Sequence, residues 1–327
     1  MSVKKMDEVP EKKTESKILA KMGKKEQGRC QKESVVLKNG QRTDNGKHVT
    51  VRVQRFRKSH VKQKLILFSV LAACLVILAV FSDHLCPYDP YAQDLSSALQ
   101  APSLQHPMGT DTYGRDMLSR VISGARASIF STFILVAVIS IFGTIVGLCC
   151  GYYGGILDSV MMRISDVCLA FPGLVFAMAI AAILGGGIQN AIIALAVVSW
   201  PKYSRIARSQ TLALKEEPYI HAAILAGDSS AQILVRHVLP NMIGPVLVTA
   251  MLDIGTMMME LAGLSFLGAQ IPMAEWGSMM SGGRSMIQTY PWVVLSPGIA
   301  IFISVVIFNL LGDTVRDYLD PKNSRIK

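Results

Sequence analysis

The chain has 327 residues, of which 51% are hydrophobic and 17% are charged, and its mean hydropathy is +0.39. A soluble domain usually carries about 25% charged residues, so these values argue against two or three soluble domains and indicate an integral membrane protein with a soluble extension. The six cysteines lie singly or as one adjacent pair without Cys-x-x-Cys spacing, which excludes a disulfide scaffold and disfavours a zinc or redox site.

The formal charge of +10 resides in the N-terminal tail, residues 1–64, which hold 19 of the 33 Lys and Arg residues and 7 of the 23 Asp and Glu residues. The charge is therefore not a footprint for nucleic acid, and no nucleic-acid partner is expected. The tail lacks a sustained apolar run, so we predict that it is largely disordered and cytoplasmic. Its basic end, residues 52–64, either anchors the first span's inner end or binds anionic membrane lipid.

Six apolar runs follow the tail and predict six transmembrane helices. They cover residues 65–81, 129–150, 167–184, 188–200, 242–267 and 292–311. A helix satisfies its own backbone hydrogen bonds in lipid, and the sequence shows no alternating strands of a membrane barrel. The run at 188–200 is shorter than the ~17–25 residues of a usual span, so we expect that helix to extend into its flanks. The predicted fold class is an all-α integral membrane protein.

The distribution of Lys and Arg sets the predicted orientation by the positive-inside rule. With the N-terminus inside, the inner segments hold 29 of these residues and the outer segments hold 4. Both termini, including the C-terminal tail 322–327, are therefore expected in the cytoplasm. The first run starts far beyond the ~15–30 residues of a signal peptide, so we expect it to remain as an uncleaved span.

Residues 82–128 form the predicted outer segment, which begins as an irregular loop. Four prolines interrupt its first part and favour turns. Gly109 and Gly114 permit tight turns, and Asp111 between them is suited to close an Asx turn. We therefore expect this loop to be built by local turn chemistry rather than by regular structure.

A helical pattern begins inside the same segment at Met117. Apolar residues recur from there to Ile129 along one stripe, and Arg120 and Arg126 fall outside it. The pattern fits either a separate helix that lies in the outer membrane interface or the start of a long span. Spacing alone leaves both interpretations open.

Residues 201–241 connect the fourth and fifth predicted spans and are longer than a minimal connector. Ala-rich sequence after Pro218 favours a short helix that ends at Gly227. The polar residues 228–230 are suited to cap a second helix. We predict that this second helix ends near Leu239-Pro240. Two helices that meet at Gly227 form either a protruding elbow that a soluble partner grips or a self-packed hairpin.

The inner loop also carries a family motif. Ala222-Ala223, three further residues, Gly227 and then Leu239-Pro240 resemble the Glu-Ala-Ala loop of ABC-importer membrane subunits, with matching spacing throughout. His221 stands where the pattern has Glu, and His237 stands where it has Ile. The resemblance implies that the loop couples the chain to an ATPase. The residues assigned to this coupling are His221, Ala222, Ala223, Gly227, Arg236, Leu239 and Pro240.

Further motifs resemble the dipeptide, oligopeptide and nickel branch of these importers, and together they cover residues 65–321. They are Gly109 to Asp116, Gly124, Arg126 and Ser128, Ser265 to Gly268, Glu275-Trp276-Gly277 and Phe308 to Asp313. Within this branch the chain resembles the C-type subunit. Seven residues resemble the nickel-importer version more than the peptide version. They are Asp253-Ile254-Gly255, Met257-Met258 and Ala262-Gly263.

The resemblance implies a type I ABC-importer permease in a bacterial inner membrane, which forms half of a pathway with a second permease subunit as a heterodimer. Two cytoplasmic ATPases that bind ATP-Mg and an external substrate-binding protein are the other implied partners. The sequence has no Gly-x-x-x-x-Gly-Lys-Ser/Thr phosphate loop, so we expect no ATP hydrolysis and no cofactor or metal on this chain. The implied substrate is nickel or a nickel chelate, and the alternative is a dipeptide or oligopeptide.

Asp253 and Glu260 are charged residues inside the fifth predicted span. They share one helix face, and intramembrane charges are functional candidates by default. They either line the pathway and attract a cation or are buried with hydrogen-bond partners. The pair would also suit an ion-coupled secondary transporter, although no inverted repeat supports that class. A membrane-embedded enzyme is disfavoured because the sequence has no His-Glu-x-x-His motif and residues 263–268 miss the Gly-x-Ser-x-Gly spacing by one residue.

Overall fold

The structure, a computed structural model, describes the backbone of residues 45–267 and 273–319 and, within those ranges, the side chains from residue 61 onward. Contacts divide the chain into residues 1–59 and 60–327. The helices of the described ranges are α1 (Asn45–Val80), α2 (Ser82–Leu85), α3 (Met117–Tyr153), α4 (Gly155–Ala170), α5 (Gly173–Leu184), α6 (Ile188–Lys215), α7 (Pro218–Leu225), α8 (Ser230–Gln232), α9 (Leu239–Leu267), α10 (Trp276–Gly283) and α11 (Trp292–Leu319). These ranges contain no strand, and the predicted all-α fold class is confirmed.

Four helical stretches of the described residues are long and apolar enough to cross a membrane. They are Val61–Val80, Met117–Tyr153, Ser230–Leu267 and Trp292–Leu319. α4 and α5 satisfy the same criterion only as a pair, and the pair is bent by 97°. The run at 188–200 belongs to α6, whose second half carries Lys and Arg. The six predicted spans therefore correspond to four continuous helices, one bent pair and α6.

The third predicted span, 167–184, is not one straight helix. Helix α4 ends at Ala170, and Phe171 has extended backbone (φ −106°, ψ 152°). The following Pro172 explains this break, because the proline ring disfavours helical backbone at the residue before it. The helix resumes as α5 in a new direction.

The outer segment contains no separate interfacial helix, because α3 runs unbroken from Met117 to Tyr153. Asp116 caps its N-terminus by accepting a hydrogen bond from the Ser119 N–H. At 1.5 Å per residue, its 37 residues extend about 55 Å, well beyond a hydrocarbon core of about 30 Å. Four residues of the apolar stripe, Met117, Val121, Ala125 and Ile129, are buried inside the protein, and Leu118 and Ile122 are partly buried. The unbroken helix supports the long-span interpretation, and the position of residues 117–128 relative to the membrane interface stays a prediction.

Helices α3 and α6 pack closely along a line of glycines on α3. A Cβ on Gly143 would lie 2.6 Å from the Trp200 carbonyl oxygen, and a Cβ on Gly147 would lie 2.2 Å from the Ser204 carbonyl oxygen. One more turn along, a Cβ on Gly151 would lie 2.7 Å from the Thr211 side chain. Only hydrogen atoms fit at these three positions, so the glycines set the distance between the two helices.

The start of α1 differs from the predicted disordered tail. The helix begins at Asn45, so residues 45–64 are helical, whereas residues 1–44 lie outside the described residues. No Gly or Pro occurs between Lys47 and Val80. A helix that the apolar span nucleates can therefore extend backward without meeting a breaker.

Candidate coupling elbow, buried ion pairs and outer motif

The predicted inner loop is largely helical, and its irregular part is short. α6 continues through Pro201 to Lys215, and α7 then begins at Pro218, whose fixed backbone dihedral suits the first helical position. Gly227 follows α7 with φ of +91°, a left-handed conformation that favours glycine. Ser229 caps α8 in a reciprocal capping box with Gln232. The two predicted helices therefore meet at Gly227, and we call residues 216–240 the elbow.

The second helix of the elbow does not end at Leu239-Pro240 as predicted. A π-helical turn, Ile233–Val238, leads directly from α8 into α9. In this turn the Leu239 N–H bonds to the Leu234 carbonyl, one residue further back than in an α-helix. Pro240 lacks an N–H, and its ring crowds the preceding turn. The wider π turn accommodates both effects, so the helix continues through Pro240.

Buried side chains fix the elbow to the rest of the protein. Ile220 and Ala223 on α7 belong to the same buried apolar cluster as Ile233 and Val238 in the π turn. His237, which replaces the motif's Ile, lies with its Nε2 atom 3.1 Å from an Asp228 carboxylate oxygen. The pair joins the turn after Gly227 to the π segment, so the departure from the motif introduces a polar contact within the elbow.

The opposite side of the elbow is exposed and apolar at its tip. Leu225 is 89% exposed and Ile224 is 50% exposed. Of the residues assigned to coupling, Ala223 is buried and Leu239 is partly buried, and the others are exposed. His221 is exposed, with its Nδ1 atom 3.2 Å from the Glu217 carbonyl oxygen. The elbow therefore offers an apolar tip on a fixed base.

An ion pair between the buried Asp253 carboxylate and the exposed Lys202 ammonium links α9 to α6. Asp253 is 3% exposed, and its two carboxylate oxygens accept from the Lys202 ammonium at 2.5 Å and from the Tyr203 hydroxyl at 2.9 Å. This geometry agrees with the interpretation of Asp253 as a buried, partnered charge. Glu260, two turns away, is half-buried and has no hydrogen bond or ion pair among the described residues. The same residues contain no cluster of three or more His, Cys, Asp and Glu side chains that could hold a metal ion.

Two motifs of the outer part lie together where α10 meets α3. The Trp276 indole donates to the Val121 carbonyl at 2.9 Å, and the Trp276 N–H donates to the Ser128 hydroxyl at 3.1 Å. A Cβ on Gly124 would lie 3.0 Å from the Trp276 ring. Gly124 leaves space for the Trp276 ring, and Ser128 accepts a hydrogen bond from the Trp276 N–H. The contact between the two motifs explains these residues structurally.

Glu275 caps α10 from a buried position. Its carboxylate accepts from the Gly277 and Ser278 N–H groups at 2.9 and 2.8 Å, and the residue is 1% exposed. Burial raises the pKa of the Glu275 carboxyl above its usual range, an effect that these two donors oppose. The folded chain therefore retains a proton on Glu275 at pH values where the unfolded chain has lost it.

This shift predicts the sign of a pH effect on stability. Stability falls as pH rises from the unfolded carboxyl's pKa of about 4.3 through the higher pKa of the folded state. We expect Glu275→Gln to flatten that part of the profile of unfolding temperature against pH in detergent. Glu216→Gln, a change at an exposed carboxylate of the elbow, should keep the wild-type profile. A wild-type slope in Glu275→Gln would contradict the assignment.

The predicted turn chemistry of the outer loop is confirmed. Gly109 and Gly114 have φ of +73° and +70°. One carboxylate oxygen of Asp111 accepts from the Tyr113 and Arg115 N–H groups at 2.8 and 3.0 Å, which closes the Asx turn. These contacts explain why glycine occurs at 109 and 114 and aspartate at 111.

Sequence reasoning missed three contributors to these sites. Lys202 and Tyr203 lie beyond the apolar run 188–200, in the predicted inner loop, although they continue α6 and contact Asp253. Arg120 was placed outside the buried stripe, yet it is 7% exposed. Arg120 falls outside the apolar stripe, so helical spacing carries no signal of its burial.

Comparison with known proteins identifies the family. A sequence model described as "binding-protein-dependent transport system inner membrane component" matches residues 143–325. The chain belongs to this family and is a permease subunit of an ABC importer, a transport component of the inner membrane. Separate ATPase and binding-protein partners are implied by the family.

Individual relatives carry peptide-related names. The chain is 44% identical to a dipeptide transport system permease protein of Alkalihalophilus pseudofirmus over 255 residues, 77% of this chain and 84% of the relative. It is 43% identical to a glutathione transport system permease protein of Escherichia coli over 272 residues, 82% of this chain and 89% of the relative. The predicted nickel-type specificity is not confirmed, and the names of these relatives fit the peptide alternative better.

Two solved structures match part of the chain at low sequence identity. An inward-facing MetNI methionine ABC transporter matches with a TM-score of 0.49 and 21% identity, over 62% of this chain and 97% of the other. An amino acid ABC transporter with histidines matches with a TM-score of 0.47 and 20% identity, over 61% and 94%.

Proposed function

We propose that the chain forms half of the translocation pathway of an ATP-driven importer of short peptides, beside a second and different permease subunit. Two relatives named for dipeptide and glutathione transport, each more than 40% identical over most of both chains, support the substrate class. Glutathione is itself a short peptide. The observation that carries the mechanism is the elbow, whose exposed tip at Leu225 is suited to an apolar groove on a soluble ATPase.

The connections of the elbow indicate how movement would reach the membrane. Helix α7 follows α6 closely along the chain, and the π turn passes without interruption into α9. The Lys202–Asp253 pair joins α6 to α9 further along. Closure of the ATPases would therefore tilt both helices together and alternate access to the pathway, with ATP-Mg bound only by the partners. Both termini lie in the cytoplasm in this arrangement.

Uptake into cells that lack only this chain tests the substrate class. We expect ATP-dependent uptake of labelled alanyl-alanine to be lost and uptake of labelled nickel to remain, with the plasmid-borne chain restoring the first. ATP depletion of complemented cells should reproduce the loss, which an ion-coupled transporter would not require. Loss of nickel uptake alone would overturn the peptide proposal while keeping the importer.

Asp253 and Glu260 should behave differently when changed to amides. Asp253→Asn removes the partner of Lys202, and we expect it to cost roughly 2 kcal/mol. This is below the ~3–5 kcal/mol for a fully buried pair, because the Lys202 side chain is 52% exposed. Glu260→Gln removes a charge without a described partner, so we expect reduced peptide uptake with unchanged unfolding temperature. These values are read from thermal unfolding in detergent and from transport.

The exposed pair of Arg205 and Asp166 provides a matched control. Its side chains are 46% and 55% exposed, so Asp166→Asn should cost less than about 1 kcal/mol. Equal losses of stability in Asp253→Asn and Asp166→Asn would contradict the structural role of the Lys202–Asp253 pair. Normal uptake by Glu260→Gln would remove Glu260 from the pathway.

A further inference from the structure

A second site of interest is a cavity of about 250 Å³ in the outer part of the molecule. It lies between the outer loop at residues 111–115, the start of α3 and helix α10. Side chains from these elements line it, among them Tyr113, Arg115, Arg120, Ser278 and Met279. It is smaller than the ~300–1,000 Å³ of pockets that enclose drug-sized ligands, so it is suited to one end of a ligand.

The charges at this cavity are unbalanced. Arg115 and Arg120 are basic, and Asp111 is the acidic residue among the lining residues that the structure describes. The second Asp111 oxygen accepts from Arg115 Nε at 2.7 Å and lies 3.6 Å from Arg120 Nε. Two guanidinium groups therefore share one carboxylate, which leaves a net positive charge.

Neighbouring acidic groups do not compensate this excess. Asp116 accepts from the Ser119 N–H and hydroxyl and lies 2.9 Å from His106 Nδ1. Glu275 is occupied by N–H groups of α10. Both carboxylates thus have other partners in the described structure.

Several guanidinium donors at the cavity have no hydrogen-bond partner among the residues that the structure describes. Arg120 donates through one terminal nitrogen to the Pro90 carbonyl at 3.1 Å. Within the described ranges, its other terminal nitrogen and both terminal nitrogens of Arg115 make no hydrogen bond. The Arg120 side chain is 9% exposed and that of Arg115 is 19% exposed. Arg120 is buried and Arg115 is partly buried, and an anion in the cavity could accept from the terminal nitrogens that have no described partner.

We propose that this cavity binds the C-terminal carboxylate of a short peptide, an inference that rests on the proposed function for its substrate class. A carboxylate matches the planar fork of a guanidinium in size and direction. Arg115 is held in place by its bond to Asp111 and by the Tyr113 ring, whose centre lies 4.6 Å from the guanidinium carbon. The cavity volume of about 250 Å³ is suited to the terminus of a small ligand.

Direct binding to the purified full-length chain in detergent tests the proposal. The probes are alanyl-alanine and alanyl-alanine amide, which differ only at the terminal carboxylate, and affinity is measured by calorimetry. We expect the dipeptide to bind at least tenfold more tightly than the amide, as a charge-assisted contact implies. Arg115→Gln should weaken dipeptide binding at least tenfold and abolish the preference over the amide.

Arg126→Gln is the matched control, because Arg126 lies on α3 shortly after Arg115 but is 54% exposed and pairs with Asp83 away from the cavity. It should bind both probes like the wild type. Arg115→Lys keeps the charge without the fork and should give an intermediate affinity, which keeps the test available if the glutamine variant does not fold.

Three outcomes would overturn the proposal. They are equal binding of dipeptide and amide by the wild type, unchanged selectivity in Arg115→Gln, and an effect of Arg115 only on docking of the external binding protein. Cellular uptake separates this test from that of the proposed function. Normal peptide uptake without the chain would refute the function, whereas acetate binding that depends on Arg115 would still show the carboxylate site.

Discussion

Gly147→Ala should prevent α3 and α6 from packing and sharply reduce the amount of folded chain in the membrane. The added Cβ would lie 2.2 Å from the Ser204 carbonyl oxygen and 2.7 Å from the Ala207 Cβ, distances at which one helix must move. Because backbone rather than a flexible side chain is in the way, we expect a loss of at least about 3 kcal/mol, the upper range for overpacked cores. Membrane yield and thermal unfolding in detergent measure it.

Gly244→Ala is the matched control, since Gly244 also lies inside a long helix, α9. A Cβ there would meet no heavy atom within 4 Å. Alanine is a better helix former than glycine by about 1 kcal/mol, so this variant should equal or exceed the wild type in stability. The same substitution is thus expected to act with opposite signs at the two positions. Equal stability of the two variants would show that the glycine line does not set the distance between α3 and α6.

The glycine line shows what sequence reasoning could have found. Gly143, Gly147 and Gly151 recur at four-residue spacing in an apolar run, a pattern typical of close helix contact in membranes. That spacing predicts a contact face on α3. It does not identify α6 as the partner helix. The glycines face backbone carbonyl oxygens of α6, and any helix would present such oxygens.

Long-range charge pairing was equally inaccessible to the sequence. Asp253 was identified from its position in an apolar run, but its partner Lys202 lies 51 residues earlier in the chain. Lys202 lies beyond the apolar run 188–200, so hydropathy places it in the inner loop. The structure instead places Pro201 inside α6. Local rules were overridden here by tertiary packing.

Local signals were reliable where backbone chemistry alone decides the conformation. The elbow's turn follows from glycine at 227 and its cap from the polar run that contains Ser229. Failures occurred where two local rules competed. The predicted span 167–184 is interrupted before Pro172 although its average hydropathy is high. The helix continues through Pro240, which a π turn precedes. Hydropathy averaged over a window cannot distinguish these cases.

Leu225→Lys should uncouple the chain from its ATPases without unfolding it. Leu225 is 89% exposed, so its replacement should change the free energy of unfolding by less than about 0.5 kcal/mol. Lysine also suits the last turn of α7, where a positive charge interacts favourably with the helix dipole. If an ATPase groove buries this leucine, the loss of about 1.5–3 kcal/mol of apolar burial corresponds to roughly 10- to 100-fold weaker docking.

The measurements are co-purification of ATPase subunits with the tagged chain and ATP-dependent uptake of alanyl-alanine, and both should fall at least tenfold. Leu225→Met keeps the apolar volume and should retain both activities. Because α7 is fixed from below by Ile220 and Ala223, a loss confined to the lysine variant would locate the contact on the exposed side of the elbow. Full activity of Leu225→Lys would instead indicate that the elbow is a self-packed hairpin, and that force enters the chain elsewhere.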